Sequence, residues 1–155
     1  MYPKTNFNVV LVEPESPQNT GNIGRTCVGT HSHLHLVGQL GFELSDKQLR
    51  RAGLDYWPNL QWTHHATWDE WWSQIPDTGR VFFVETKVEN SFYDVEFREG
   101  DWLVFGKETK GLRPEILKKF PDQSVTLPFP GPIRSFNLAN AVSMALGEGM
   151  RQLRR

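Results

Sequence analysis

The chain has 155 residues, 17 of them Lys or Arg and 18 Asp or Glu, for a formal net charge of −1. That length suits a single domain, 1–155, burying about 70% of its unfolded surface, and the near-neutral charge leaves any nucleic-acid site to a local cluster of cations. One cysteine excludes an internal disulfide, MYPKTNFN has no basic-then-apolar leader, and no apolar run reaches about 18 residues, so a cytoplasmic protein without a membrane span is expected.

The first β-rich run is NVVLV, Asn8 to Val12, followed by a helical pattern from Gly21 to Thr30 and a second run, HLHLV, from His33 to Val37. A helix is expected over Asp46 to Ala52 and another over Thr67 to Gln74. The latter opens with Thr67 as cap and with Asp69 and Glu70 complementing the dipole, while Trp68, Trp71 and Trp72 at i, i+3 and i+4 form one apolar stripe for packing on a sheet. Then come RVFFVE (Arg80 to Glu85), DWLVFG (Asp101 to Gly106), a helix at Pro114 to Phe120, and SVTLP (Ser124 to Pro128). The last helix, Asn137 to Leu153, carries a sustained stripe through Leu138, Val142, Ala145, Leu146, Gly149 and Leu153. Continuous apolar runs alternating with helices predict an α/β fold with a mainly parallel sheet, flanked by helices and joined by right-handed crossovers.

Three loop-like clusters follow strands or open helices, where open α/β sheets place their ligands. In EPESPQNTGNIGR, Glu13 to Arg25, Asn19 is the expected N-cap, and Arg25 lies where a phosphate or a reacting oxygen would be met. Only Gly21 and Gly24 fit a dinucleotide-binding spacing, and no Walker lysine follows. FGKETKGL, Phe105 to Leu112, reads either as a charged surface turn or as a tight ligand loop. LPFPGPIRSFNLAN, Leu127 to Asn140, is stiffened by three prolines, with Ser135 and Asn137 as natural caps and Arg134 without an evident structural task. Asn137 and Asn140 put two amides near the start of the last helix, suited to capping or to a polar ligand.

Basic residues cluster at Arg50 and Arg51 and again at Arg151, Arg154 and Arg155, as solvated helix faces or as phosphate contacts. His31, His33 and His35 share a strand face, but no cysteine or nearby carboxylate completes a zinc set, so no metal is expected. Cys27, inside the first helix, reads as a small core residue.

Together the three clusters, in this order, resemble the motifs of the SPOUT class of RNA methyltransferases over nearly the whole chain. GFELSDKQLRRAGLDYW also resembles the single-domain members that methylate the ribose 2′-hydroxyl of the wobble cytidine or uridine in tRNA. The resemblance implies a C-terminal trefoil knot, an exception to the avoidance of knots. It implies a homodimer acting on tRNA, leucine tRNAs foremost, and S-adenosylmethionine held by backbone around Val84, Glu85 and Thr86, Gly106 to Glu108, and Leu127, Pro128 and Ser135, with Asn140 nearby. Arg25 and Glu108 become the catalytic candidates, and Asn19, Arg25, Arg50, Arg51, Arg134 and Arg151 the RNA contacts. Because an arginine side chain keeps its proton at working pH, Arg25 is expected to stabilise the developing alkoxide or orient a phosphate, with Glu108 or a phosphate oxygen accepting the proton.

Two positions depart from the family pattern. Leu146-Gly147-Glu148 lacks the aromatic residue common before that glutamate, and His31 stands where glycine often ends the first helix. The competing readings are the same reaction on ribosomal RNA or another tRNA position, and an RNA-binding module of the same fold without catalysis.

Overall fold

The computed structural model describes residues 4–45, 47, 51 and 56–154. Six parallel strands, β1 (Asn8–Val12), β2 (His33–Val37), β3 (Trp62–His65), β4 (Val81–Val84), β5 (Trp102–Phe105) and β6 (Ser124–Val125), form one sheet in the order β3-β2-β1-β5-β4-β6. Around it lie α1 (Pro17–Gly29), α2 (Trp68–Trp72), α3 (Pro114–Lys119) and α4 (Leu138–Leu153). Among the described residues no helix is long and apolar enough to cross a membrane. The helix expected at Asp46 to Ala52 lies largely outside the described residues.

Strand side chains alternate between two cores, as a pleat covered on both faces requires. Val9 and Leu11 of β1, Leu34 and Leu36 of β2 and Leu103 and Phe105 of β5 face one cluster, which includes Ile23 and Cys27 of α1 and Val142, Ala145 and Leu146 of α4. Val10, Val37, Phe83 and Val104 face the other, with Trp71 of α2 and the partly buried Trp68, Trp72 and Ile116. The tryptophan stripe is core: Trp71 is fully buried and Trp68 stacks on Trp72 with centroids 5.9 Å apart. Cys27 is buried among these side chains, and burial pushes its thiol well above the usual range, which leaves it inert.

The start of α1 differs from the sequence expectation. Ser16, not Asn19, is the N-cap: its hydroxyl accepts the Asn19 amide at 3.0 Å, and Pro17 occupies the first turn, where a missing N–H costs nothing. At the other end His31 takes φ +55, the Ser32 amide bonds Cys27 O at 2.8 Å and the His31 amide bonds Val28 O at 3.3 Å. These two bonds form a Schellman motif, whose left-handed residue is most often glycine. The His31 ring makes up part of the difference through a 2.9 Å bond to Asn6 Oδ1. This geometry also removes His31 from the strand face shared by His33 and His35.

β3 carries no continuous apolar run and was not anticipated from the sequence. It brings His65 to His35, Nδ1 to Nε2 at 3.0 Å, while His35 stacks on His33 with centroids 4.2 Å apart and bonds Asn8 Oδ1 at 2.9 Å. Burial, with His33 and His65 as neighbours, pushes the His35 pKa down to about 3. Across the sheet, Arg80 forks onto the buried Asp101 carboxylate at 2.8 and 2.6 Å, and this pair ties the start of β4 to the start of β5.

Candidate active site

Chain direction away from β1 reverses between β1 and β5, which makes their carboxyl ends the switch point where such sheets bind ligands. Two loops cross-brace there. The Glu15 and Ser16 amides donate to Glu108 Oε2 at 3.0 and 2.9 Å, and Glu15 Oε1 in turn accepts the Thr109 amide and hydroxyl at 2.9 and 2.8 Å. Those Thr109 bonds hold the Glu15 carboxyl below its ordinary range. At Glu108 burial pushes the carboxyl up, against the opposing pull of the amides of Glu15 and Ser16. Glu108 Oε1 lies 3.3 Å from the Glu15 amide, a weaker contact than the two made by Oε2.

FGKETKGL folds as a tight, closed loop that lines a cleft rather than as an open surface turn. Its ends close through a bridge between Lys107 and Gly111, with the Gly111 amide 2.8 Å from Lys107 O. A Cβ at Gly106 would sit 2.1 Å from the Gly111 carbonyl carbon and 2.3 Å from the Leu112 nitrogen, so only glycine fits. Gly111 itself has φ +67, and Glu85 Oε2 lies against it while accepting the Leu112 amide at 2.8 Å. The third segment arrives beside the loop after β4, where the Phe92 amide bonds Thr126 O at 2.7 Å. That switch of partner is why β6 stops at Val125 and does not continue to Pro128.

The three segments enclose a cleft of about 1010 Å³. Of the residues expected at a site, Asn19, Val84, Glu85, Thr86, Gly106, Glu108, Leu127, Arg134 and Ser135 line it together. Pro128 and Asn140 are exposed and outside the lining. Asn137, not Ser135, caps α4, its side chain accepting the Asn140 amide at 3.3 Å and donating to Asn19 Oδ1 at 3.2 Å, which joins the starts of α1 and α4 beside the cleft. Lys87, Lys110, Lys118 and Phe129 line the cleft too. Lys110 and Phe129 belong to the second and third clusters, whereas Lys87 and Lys118 were not anticipated, because they lie on other segments that only the fold brings to the cleft.

Arg25 is exposed on α1 and does not line this cleft; its guanidinium carbon lies 5.7 Å from the Tyr56 ring centroid. The Tyr56 hydroxyl bonds Gly21 O, so the ring that carries the guanidinium is fastened to α1 itself. Arg51 is exposed, and Arg50 lies outside the described residues. Arg151 is exposed and already forked onto Glu148, with Nη2 to Oε1 at 2.6 Å.

Residues 6–147 match the model of the SpoU rRNA methylase family, and the chain belongs to that family. It is 48% identical over 148 residues to a tRNA (cytidine(34)-2′-O)-methyltransferase of Burkholderia cenocepacia, covering 94% of this chain and 95% of the relative. A protein of the same name from Saccharophagus degradans is 48% identical over 149 residues, covering 95% and 96%. A structure solved to explain 2′-hydroxyl methylation of cytidine or uridine 34 on tRNA superposes with a TM-score of 0.91 at 45% identity, over 95% of both chains. The methyltransferase AviRb of Streptomyces viridochromogenes, solved with AdoMet, shares the fold at a TM-score of 0.82 and 23% identity, over 97% of this chain and 58% of its own.

Proposed function

We propose that the protein, as one domain in a cytoplasmic homodimer, transfers a methyl group from S-adenosylmethionine to the ribose 2′-hydroxyl of the wobble nucleotide of tRNA, with leucine tRNAs as substrates. One observation carries this reading: the second and third motif segments, with Asn19 of the first and the loop after β4, wall a single cleft in a chain nearly half identical along its length to wobble-position methyltransferases. The residues present suit the cofactor. Val84, Leu127, Phe105 and Leu138 give apolar walls, tight glycine turns bring backbone to the rim, and the volume suits a ligand of that size. The knot implied by the family belongs to this reading, with residues 127–137 as the threaded part.

S-adenosylmethionine supplies a methyl group activated on a sulfonium. The chain's own residues position and deprotonate. Glu108, braced through Oε2 and raised by burial, accepts the hydroxyl proton on Oε1, or passes that task to a phosphate oxygen of the RNA. Arg25, on the outer face of α1, reaches the cleft of the second subunit and stabilises the alkoxide there. The dimer would be built on α1 and α4, which pack side by side with the Thr26 and Ser143 hydroxyls 3.4 Å apart. Asn19 and Arg134 then face the RNA, with Arg51 and Arg151 at its margin and Arg50 among the residues not described.

Titration calorimetry and nucleoside analysis together test this. S-adenosylmethionine should bind, and tRNA from cells lacking the gene should lose 2′-O-methylation at the wobble nucleotide. Absence of cofactor binding would favour an RNA-binding module without catalysis, and loss of methylation elsewhere would move the target to another position.

A further inference from the structure

Five cations, Lys87, Lys107, Lys110, Lys118 and Arg134, line the large cleft, in a protein whose net charge is −1. Its two lining carboxylates are occupied by backbone amides: Glu85 by those of Thr86 and Leu112, Glu108 by those of Glu15 and Ser16. None of the five forms an ion pair among the described residues; Glu15 acts on Lys107 and Lys110 only at longer range. The cleft lining thus carries five cations against two carboxylates, a surplus of positive charge.

The methyl donor does not call for that surplus, since its sulfonium and ammonium outnumber its one carboxylate. A cationic ligand is repelled by converging lysines, so the cations serve a different, anionic ligand that shares the cleft. Lys87, Lys110 and Lys118 are exposed and come from three segments: the loop after β4, the loop after β5 and the last turn of α3. Their spread around one opening suits a chain of phosphates running across it better than one compact anion.

We infer that Lys87, Lys110 and Lys118 form a phosphate-binding rim over which the substrate RNA backbone crosses the cofactor cleft. This rests on the functional reading above and adds contacts that it does not contain. Lysine is suited to the task, because a flexible point charge holds a phosphate without demanding one geometry or one base.

The test compares wild-type protein with the triple variant Lys87→Gln, Lys110→Gln, Lys118→Gln and with Lys119→Gln as control. Lys119 neighbours Lys118 on α3 but lies outside the cleft lining, with its ammonium over the Phe120 ring. Binding of a tRNA anticodon stem-loop is measured across a salt series, and S-adenosylmethionine binding by calorimetry. The triple variant should bind RNA roughly tenfold or more weakly, with the slope of log affinity against log salt shallower by about 2, while cofactor affinity holds and Lys119→Gln matches wild type. An unchanged salt slope in the triple variant would overturn the inference, as would a loss of cofactor affinity equal to the loss for RNA. Failure of the wild-type protein to bind tRNA would overturn the functional reading itself, before any variant is made.

Discussion

Arg25 and Glu108, the two residues proposed to act on the ribose hydroxyl, are held in different ways. The arginine is displayed outward on α1 over the Tyr56 ring, while the glutamate is drawn inward by the Glu15 and Ser16 amides. If the guanidinium fork stabilises the alkoxide, Arg25→Lys keeps the charge and still lowers kcat by about 100-fold, with cofactor affinity unchanged; a fully active lysine variant removes that role. Glu108→Gln keeps a hydrogen-bond acceptor for the brace but cannot take a proton. Turnover should drop by about 100-fold and the acid limb of the pH–rate profile should flatten. An acid limb identical to wild type would assign the proton to a phosphate oxygen instead. Both residues were legible in the sequence as members of motifs, whereas the brace was not, because hydrogen bonds between residues 15 and 109 depend on the sheet order.

Among the elements, the loop after β5 is the least tolerant of change. Gly106→Ala forces a methyl group into the backbone at Gly111 and Leu112, and should cost about 3 kcal/mol of stability in chemical denaturation as well as cofactor binding. Wild-type stability in that variant would mean that the loop opens freely. The sheet edge at β2 and β3 predicts a pH effect. An unfolded chain protonates the His35 ring near its ordinary 6.5, but the folded protein resists until about 3, so stability present above the first value is lost as pH falls through this window. Unfolding free energy should fall between pH 7 and pH 4, and less steeply in His35→Asn; equal slopes would show that the ring does not govern the loss.

β1 and β2 were legible residue for residue, because apolar runs buried on both faces leave a strong pattern. β3 was not, since WTHH at the sheet edge depends on histidines that find partners only across strands. Ser16 rather than Asn19 caps α1 for a local reason: a serine directly before Pro17 is the stronger start signal.

At the scale of the whole molecule, composition and function part company. A net charge of −1 advertises no nucleic-acid partner, yet the fold gathers five cations at one opening, two of them, Lys107 and Lys110, on the loop that closes the cofactor cleft. The same folding leaves Arg25 outside the cleft of its own chain, which is why the proposed active site draws on a second copy. The three motif loops are legible in the sequence, whereas the sheet order determines which of their residues share a cleft.

The most direct measurement of the central claim is methyl transfer from labelled S-adenosylmethionine to leucine tRNA transcripts, with one transcript carrying a 2′-deoxyribose at the wobble nucleotide. Label should appear on the wobble ribose of the unmodified transcript and be absent from the deoxy one. Equal labelling of both, or binding of cofactor and tRNA without transfer, would contradict the account.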